Sequence, residues 1–400
     1  MRNFKAIRDS KTVRFGNLTA FIGNNGSGKS SLIEALMTYQ TIVSDGVEDA
    51  VRYWLGFNHI WNNAVEHLPD NKGGVRPHLK NPMEFYPTGK NYRSTLKLTT
   101  TPSKEELFIL EETLKYSGKE DLIRRSDGSV IRMKKVKEKE EKDTTNKTLK
   151  SKEEYTKISC REDQSLISVS SFSDLVAYSH LPTVRSEIEN WQFVNFDPWL
   201  MGQAKPRRSV MKTDIQLHSS GSNLSEYLLD IYSKDQNAFD DILESLQYVL
   251  PYVNDLQPTQ TSSRDIQSRV YLQLTEGKSK VPGWLFSTGT LRIIALLAIL
   301  KHPTPPPLVV IEEIENGLDP RTVNLLVGEI RNAISMGKTQ VIMTTHSPYL
   351  LDLLDLSHIV LVERNSKGEP QFTRPADREE LSVWAEKFNP GQLYTMGKLS

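Results

Sequence analysis

Four hundred residues exceed what one hydrophobic core ordinarily supports, so one elaborated domain or two domains are expected. The 50 Lys+Arg and 50 Asp+Glu residues cancel, so nothing global demands nucleic acid or an anionic membrane as partner. Hydrophobic content of 38% with charged content of 25% is ordinary for a water-soluble globular chain.

Met1-Arg2-Asn3-Phe4-Lys5 leads straight into strand-like sequence, not into a secretory signal. Leu18 to Ile22 predicts a short apolar strand that runs into Gly23-Asn24-Asn25-Gly26-Ser27-Gly28-Lys29-Ser30, a complete fit to G-x-x-x-x-G-K-[ST], followed by Ser31. Ser30 to about Val43 reads as a helix, with Leu32, Ile33, Leu36, Met37 and Tyr39 at three-to-four spacing. This strand–loop–helix context is what a phosphate-binding loop requires. Its glycines let backbone N–H groups face phosphates at the positive end of the helix. Lys29 is expected to reach the β- and γ-phosphates of ATP, and the Ser30 hydroxyl to ligate Mg²⁺.

The segment Tyr53–His67, with Trp54, Phe57, Trp61 and His67, is rich in aromatic residues and fits no motif; core packing is its preferred reading and contact with a partner the alternative. From Tyr92 to Lys134 the pattern turns β-like, and Arg125 to Val130 predicts a hairpin around Asp127-Gly128. Lys134 to about Lys152 interleaves Lys and Glu and cannot bury a core, so a solvated loop or hairpin tip is expected. Cys160 is the single cysteine, which excludes an internal disulfide and suits a reducing cytoplasm. Asp174 to Val253 reads as mainly helical, including Leu224–Tyr232 and Phe239–Leu250, with Gly221-Ser222-Asn223 offering capping chemistry before the first.

Ser287-Thr288-Gly289-Thr290 opens a helix through Leu300 and supplies hydroxyl and N–H groups at a helix start. Within it the most apolar run, Ile293 to Leu300, falls far short of the roughly 20 residues of a bilayer span and predicts a buried helix, with no membrane partner. The apolar strand Leu308–Ile311 delivers Glu312 and Glu313 to its carboxyl end. Asn316-Gly317-Leu318-Asp319-Pro320 follows, with Asp319 suited to cap a helix that has Pro320 at its first position. Helix Arg321–Ile334, strand Gln340–Thr344, helix Tyr349–Leu354 and strand Ile359–Val362 complete the alternation, with His346 just past the middle strand. Strands separated by amphipathic helices predict an α/β fold with a mostly parallel sheet.

This series of motifs resembles the RecF/SMC-like ABC ATPases, and more narrowly the AAA_21-type predicted ATPases of prokaryotes. Asn3-Phe4-Lys5, the loop Gly23–Ser31, Gly221-Ser222-Asn223-Leu224, Ser287 to Arg292, Glu312 to Leu318 and Thr345-His346-Ser347-Pro348 carry the resemblance, nearly end to end. It implies an ABC-type P-loop ATPase head: a mostly parallel sheet flanked by helices, an antiparallel β subdomain and a large, mainly helical insertion. The expected layout is an N-terminal ATPase lobe at 1–135, a charged loop and helical insertion at 136–264, and a C-terminal lobe at 265–400. It further implies that Glu312 supports Mg²⁺, Glu313 orients and deprotonates the attacking water, and His346 senses the γ-phosphate. Ser287, Thr288, Gly289 and Thr290 would then grip ATP held by a second subunit, and the loop at Asp319 would cross the dimer interface.

Such ATPases often occur in anti-phage modules, as in Septu-like, PARIS-like and overcoming-lysogenization-defect systems. The expectation is therefore a cytoplasmic, slowly hydrolysing, ATP-gated homodimer or higher even-numbered assembly. It would control a separate effector protein, a nuclease or toxin, because no Toprim-like module, H-N-H cluster or zinc-ligand spacing is visible. The alternative is a RecF-like ATPase that clamps DNA. A non-hydrolysing scaffold would need neither Glu313 nor His346. Three features depart from the pattern: Glu312 stands where Asp is more usual, Thr288 where Gly is common in transporters, and Gln40 lies too close behind the loop to serve as a Q-loop residue.

Overall fold

The computed structural model describes residues 1–62, 81–100, 107–116, 119–126, 130–135, 154–159, 163–168, 181–206, 215–261 and 269–399. His67, the Asp127-Gly128 turn, most of the Lys/Glu run and Cys160 lie outside the described residues. Two compact units form. The first comprises Met1–Val13, Gly26–Glu189 and Arg364–Gln371; the second comprises Arg14–Asn25, Asn190–Glu363 and Phe372–Ser400.

The second unit is organised on a six-stranded sheet in the order Gln192–Val194, Leu308–Ile311, Gln340–Thr344, Leu18–Ile22, Ile359–Arg364, Pro370–Thr373. The first five pair in parallel. Leu18–Ile22 and Leu308–Ile311 are buried at every position, as strands covered on both faces must be. The helix Thr288–Leu300 is buried at every position from Ile293 to Leu300, which explains the apolar run: that stretch lies inside the core, with no face toward water. The helix Pro320–Ser335 instead buries one stripe, Val323, Leu326, Val327 and Ile330. A separate antiparallel sheet in this unit joins Lys205–Pro206, Arg269–Glu276, Val253–Gln260 and Ser279–Pro282.

The helices Leu224–Lys234 and Gln236–Val249 form where the periodicity places them. The capping expectation at Asn223 fails. Its Oδ1 accepts from the N–H of His218 (2.8 Å) and its Nδ2 donates to the carbonyl of Gln216 (2.8 Å), so the side chain ties down the preceding loop and leaves the helix uncapped.

The first unit carries an eight-stranded antiparallel sheet, ordered Ile7–Asp9, Arg2–Phe4, Met83–Phe85, Tyr92–Thr100, Leu107–Tyr116, Lys119–Ser126, Val130–Lys135, Glu154–Ser159. The expected hairpin is present as the pairing of Ser126 with Val130. Along Tyr92–Thr100, Tyr92, Ser94, Leu96 and Leu98 face inward in strict alternation. The helix Lys29–Ser44 buries Leu32, Ile33, Tyr39 and Ile42, with Tyr39 against Phe85 at 6.0 Å between ring centroids. Glu112 is a buried carboxylate made tolerable by two donors, the Ser165 hydroxyl (2.5 Å) and the Leu166 N–H (2.9 Å). Of the aromatic segment, Phe57 and Trp61 are core residues, Trp54 lies 3.4 Å from Lys5 Nζ, and Tyr53 and Leu55 are exposed.

Candidate active site

The phosphate-binding loop starts at Gly23, directly after the strand Leu18–Ile22. In the second unit Phe21 pairs with Thr344, and Met343 pairs with Ile311. Parallel strands in this register end together. Gly23, the Glu312–Glu313 pair and Thr345-His346 therefore leave the sheet along one carboxyl edge, where ligands of open α/β sheets bind.

The rest of the loop belongs to the first unit. Gly26 has φ 73°, and a Cβ there would meet nothing within 4 Å; Gly28 has φ 114°, and its Cβ would stand 2.5 Å from Pro370 Cγ. Only glycine satisfies both the backbone and the neighbour at Gly28. Arg364, which no motif signalled, holds the loop by donating from Nε to the Gly26 carbonyl (2.8 Å) and from Nη1 to the Gly368 carbonyl (2.6 Å). Ser27 is buried, and its hydroxyl has no partner among the described residues. The helix starts at Lys29, with Ser30 and Ser31 in its first turn, no capping side chain and no acidic residue there. A helix start with no side-chain cap, a buried serine hydroxyl and a lysine suit a phosphate group.

On the second unit's edge, Glu313 is exposed and sits at φ 46°, in the left-handed region that a glutamate rarely occupies. Thr344 holds it there: its Oγ1 accepts the Glu313 N–H at 2.8 Å, and its carbonyl accepts the Ile314 N–H at 3.3 Å. Glu312 is half-buried beside it. His346 is half-buried, and its backbone N–H donates to Glu315 Oε1 at 2.8 Å.

Ser287 is the N-cap of the helix Thr288–Leu300: its Oγ accepts from the Thr290 N–H (3.0 Å) and shares a hydrogen bond with the Thr290 hydroxyl (2.8 Å). Ser287 and Thr288 remain exposed. Gly289 lies against the next motif, since a Cβ there would stand 2.5 Å from the Gly317 carbonyl. Asp319 caps the helix Pro320–Ser335, accepting from the N–H groups of Arg321 (2.9 Å) and Thr322 (3.1 Å). The hydrogen bond from the Thr322 hydroxyl, with those from the backbone, holds its carboxyl below the usual range. Gln40 points away from any ligand role; it donates to the carbonyls of Ile188 (3.0 Å) and Glu189 (3.1 Å).

The profile of the family described as "AAA domain, putative AbiEii toxin, Type IV TA system" (AAA_21) matches residues 18–352. A Helicobacter pylori protein named "ATP/GTP phosphatase" is 23% identical over 374 residues, covering 89% of this chain and 86% of that one. Among solved structures, an Smc head bound to the C-winged helix domain of ScpA is 14% identical with a TM-score of 0.47, covering 93% of this chain and 94% of its own. The Smc head of Pyrococcus furiosus with an extended coiled coil, bound to the C-terminal domain of ScpA, is 13% identical with a TM-score of 0.41, covering 96% and 98%.

Proposed function

The chain belongs to the AAA_21 family of ATPases, and from that premise we propose that it works as an ATP-gated dimer that controls a separate effector protein in bacterial anti-phage defence. ATP is the substrate, hydrolysed slowly to ADP and phosphate. The observation that carries the reading is the shared carboxyl edge of three parallel strands, with Gly23, Glu313 and His346 leaving it together.

Backbone N–H groups of Gly26 to Ser30 and the Lys29 ammonium bind the phosphates. Glu313 orients the attacking water and takes its proton, and His346 faces the γ-phosphate. Ser30 and Glu312 are oxygen ligands of the kind Mg²⁺ takes, and the ion would neutralise charge on the phosphate oxygens. The exposed Ser287 and Thr288 then close over the nucleotide of a second copy, and Asp319 lies on the loop that crosses between copies.

Native mass spectrometry of Glu313→Gln, with and without ATP and Mg²⁺ and co-expressed with its genomic neighbours, tests this. A dimer that forms only with ATP and carries a second polypeptide is the expected result. A monomer in both conditions would sink the gated-dimer reading. An ATP-dependent dimer without a partner, retaining DNA with a steep loss on added salt, would favour a DNA clamp instead.

A further inference from the structure

Two buried polar atoms of opposite charge stand without partners among the described residues, beside the proposed catalytic loop. Arg292, on the helix Thr288–Leu300, donates from Nη2 to the carbonyl of Glu313 (3.2 Å), while its buried Nε has no acceptor. Glu315 accepts the N–H of His346 on Oε1 (2.8 Å), while its buried Oε2 has no donor. Burial pulls the Arg292 guanidinium below its ordinary range, and the charges of Glu313 and Glu315 oppose that pull. The helix start and the loop also touch directly: a Cβ on Gly317 would lie 3.8 Å from both Arg292 Cδ and Thr288 Oγ1.

We propose that Glu315 and Arg292 are a positioning pair that ties the helix start at Ser287–Thr288 to Glu313 and His346. A half-satisfied buried charge is costly in one arrangement and relieved in another, so such a pair favours two discrete positions over a continuum. In the described arrangement Arg292 braces the Glu313 carbonyl and Glu315 braces the His346 amide. When a phosphate engages the exposed hydroxyls at the helix start, the turn carrying Arg292 shifts. Its free Nε–H then meets the free Oε2 of Glu315, directly or through one water. One event at the helix start thereby moves the backbone at Glu313 and at His346 together. Neither Arg292 nor Glu315 touches the reacting atoms. Both act through the residues that do.

The test is steady-state ATP hydrolysis by Glu315→Ala, Glu315→Gln, Arg292→Ala, Arg292→Lys and the double alanine variant. A positioning role predicts that E315A loses on the order of 30- to 100-fold in kcat with KM within about threefold of wild type, since phosphate binding is untouched. E315Q keeps an acceptor for the His346 amide and should lose roughly three- to tenfold. The double alanine variant should be no slower than the slower single one, because residues acting as a unit do not lose twice. Independent, multiplying losses would overturn the pair, as would E315A turning over within twofold of wild type. Should E315A not fold by thermal unfolding, E315Q and R292K decide, and wild-type kcat in both refutes the proposal. The inference rests on Glu313 as the water-orienting group, so Glu313→Gln is run alongside. Wild-type turnover in E313Q would refute that reading, whereas normal turnover confined to the 292 and 315 variants refutes only the pair.

Discussion

Thr344→Val is the most economical probe of the proposed catalytic loop, because it removes one oxygen and leaves the shape. Thr344 is buried at 2% exposure, and its hydroxyl is the acceptor for the Glu313 N–H at 2.8 Å. Valine fills the same volume but leaves that part-buried N–H without its acceptor, at a cost of about 1–3 kcal/mol for an unsatisfied donor, the low end applying where water reaches it. Glu313 also sits at φ 46°, a conformation that costs of order 1–3 kcal/mol and persists only while its surroundings hold it. With the restraint gone, the loop relaxes toward φ below zero and takes the carboxylate with it. If the lost bond is the whole gap between the two arrangements, the competent fraction falls roughly 5- to 150-fold. Steady-state kinetics should show that drop in kcat, with the KM for ATP little changed because residues 23–31 are untouched. Thr344→Ser restores the hydroxyl and should recover kcat to within about threefold. Wild-type kcat in T344V, or a serine variant as slow as the valine one, would refute the account of how Glu313 is held.

Lys29→Ala should abolish measurable ATP binding in equilibrium dialysis, the ammonium being the loop's only side-chain cation; undiminished affinity would remove Lys29 from the site. Gly289→Ala drives a methyl to 2.5 Å from the Gly317 carbonyl and should destabilise the second unit by about 1–3 kcal/mol, read as a lower denaturation midpoint. Asp319→Ala removes the cap of the helix Pro320–Ser335 and should cost about 0.5–2 kcal/mol. The Asp319 pKa is lowered in the folded state, so its stabilisation is full above the ordinary carboxyl value of 3.8 and is lost as pH falls through the still lower folded value. Asp319→Asn keeps an acceptor that does not titrate, and should show a shallower loss of stability on acidification below about pH 4 than wild type.

The motifs were legible because each is local. A buried strand must be apolar, a phosphate loop must be glycine-rich, and Glu312 and Glu313 follow their strand without a gap. The helices Leu224–Lys234, Gln236–Val249 and Pro320–Ser335 announce themselves by periodicity for the same reason. What the residue order hides is pairing over distance. Thr344 reads as the last residue of a strand, and nothing near it signals that its hydroxyl holds Glu313, 31 positions away. Arg364 is one arginine among many until the fold brings it to Gly26, 338 positions away. Arg292 and Glu315 stood inside the motifs that carry the resemblance, yet only the burial of their unpartnered atoms gives them work to do. Asn223 misled for the opposite reason: its local sequence is that of a cap, and a competing pair of hydrogen bonds to His218 and Gln216 wins. Met83–Phe85 is too short to show a period, though it is an interior strand of the antiparallel sheet.

The strand Leu18–Ile22 has as its two neighbours Gln340–Thr344 and Ile359–Arg364, both made roughly 320 residues later. At about 5–20 residues per second, a ribosome takes on the order of tens of seconds to deliver those partners. Throughout that interval five residues destined for full burial, four of them apolar, must wait without a sheet, while the antiparallel hairpins of the first unit close from sequence neighbours. Closing so long a loop makes the sheet a late and slow event. A chain cut anywhere before Gln340 leaves the strand that feeds the phosphate loop with no partner on either side, an adhesive edge that chaperones must shield.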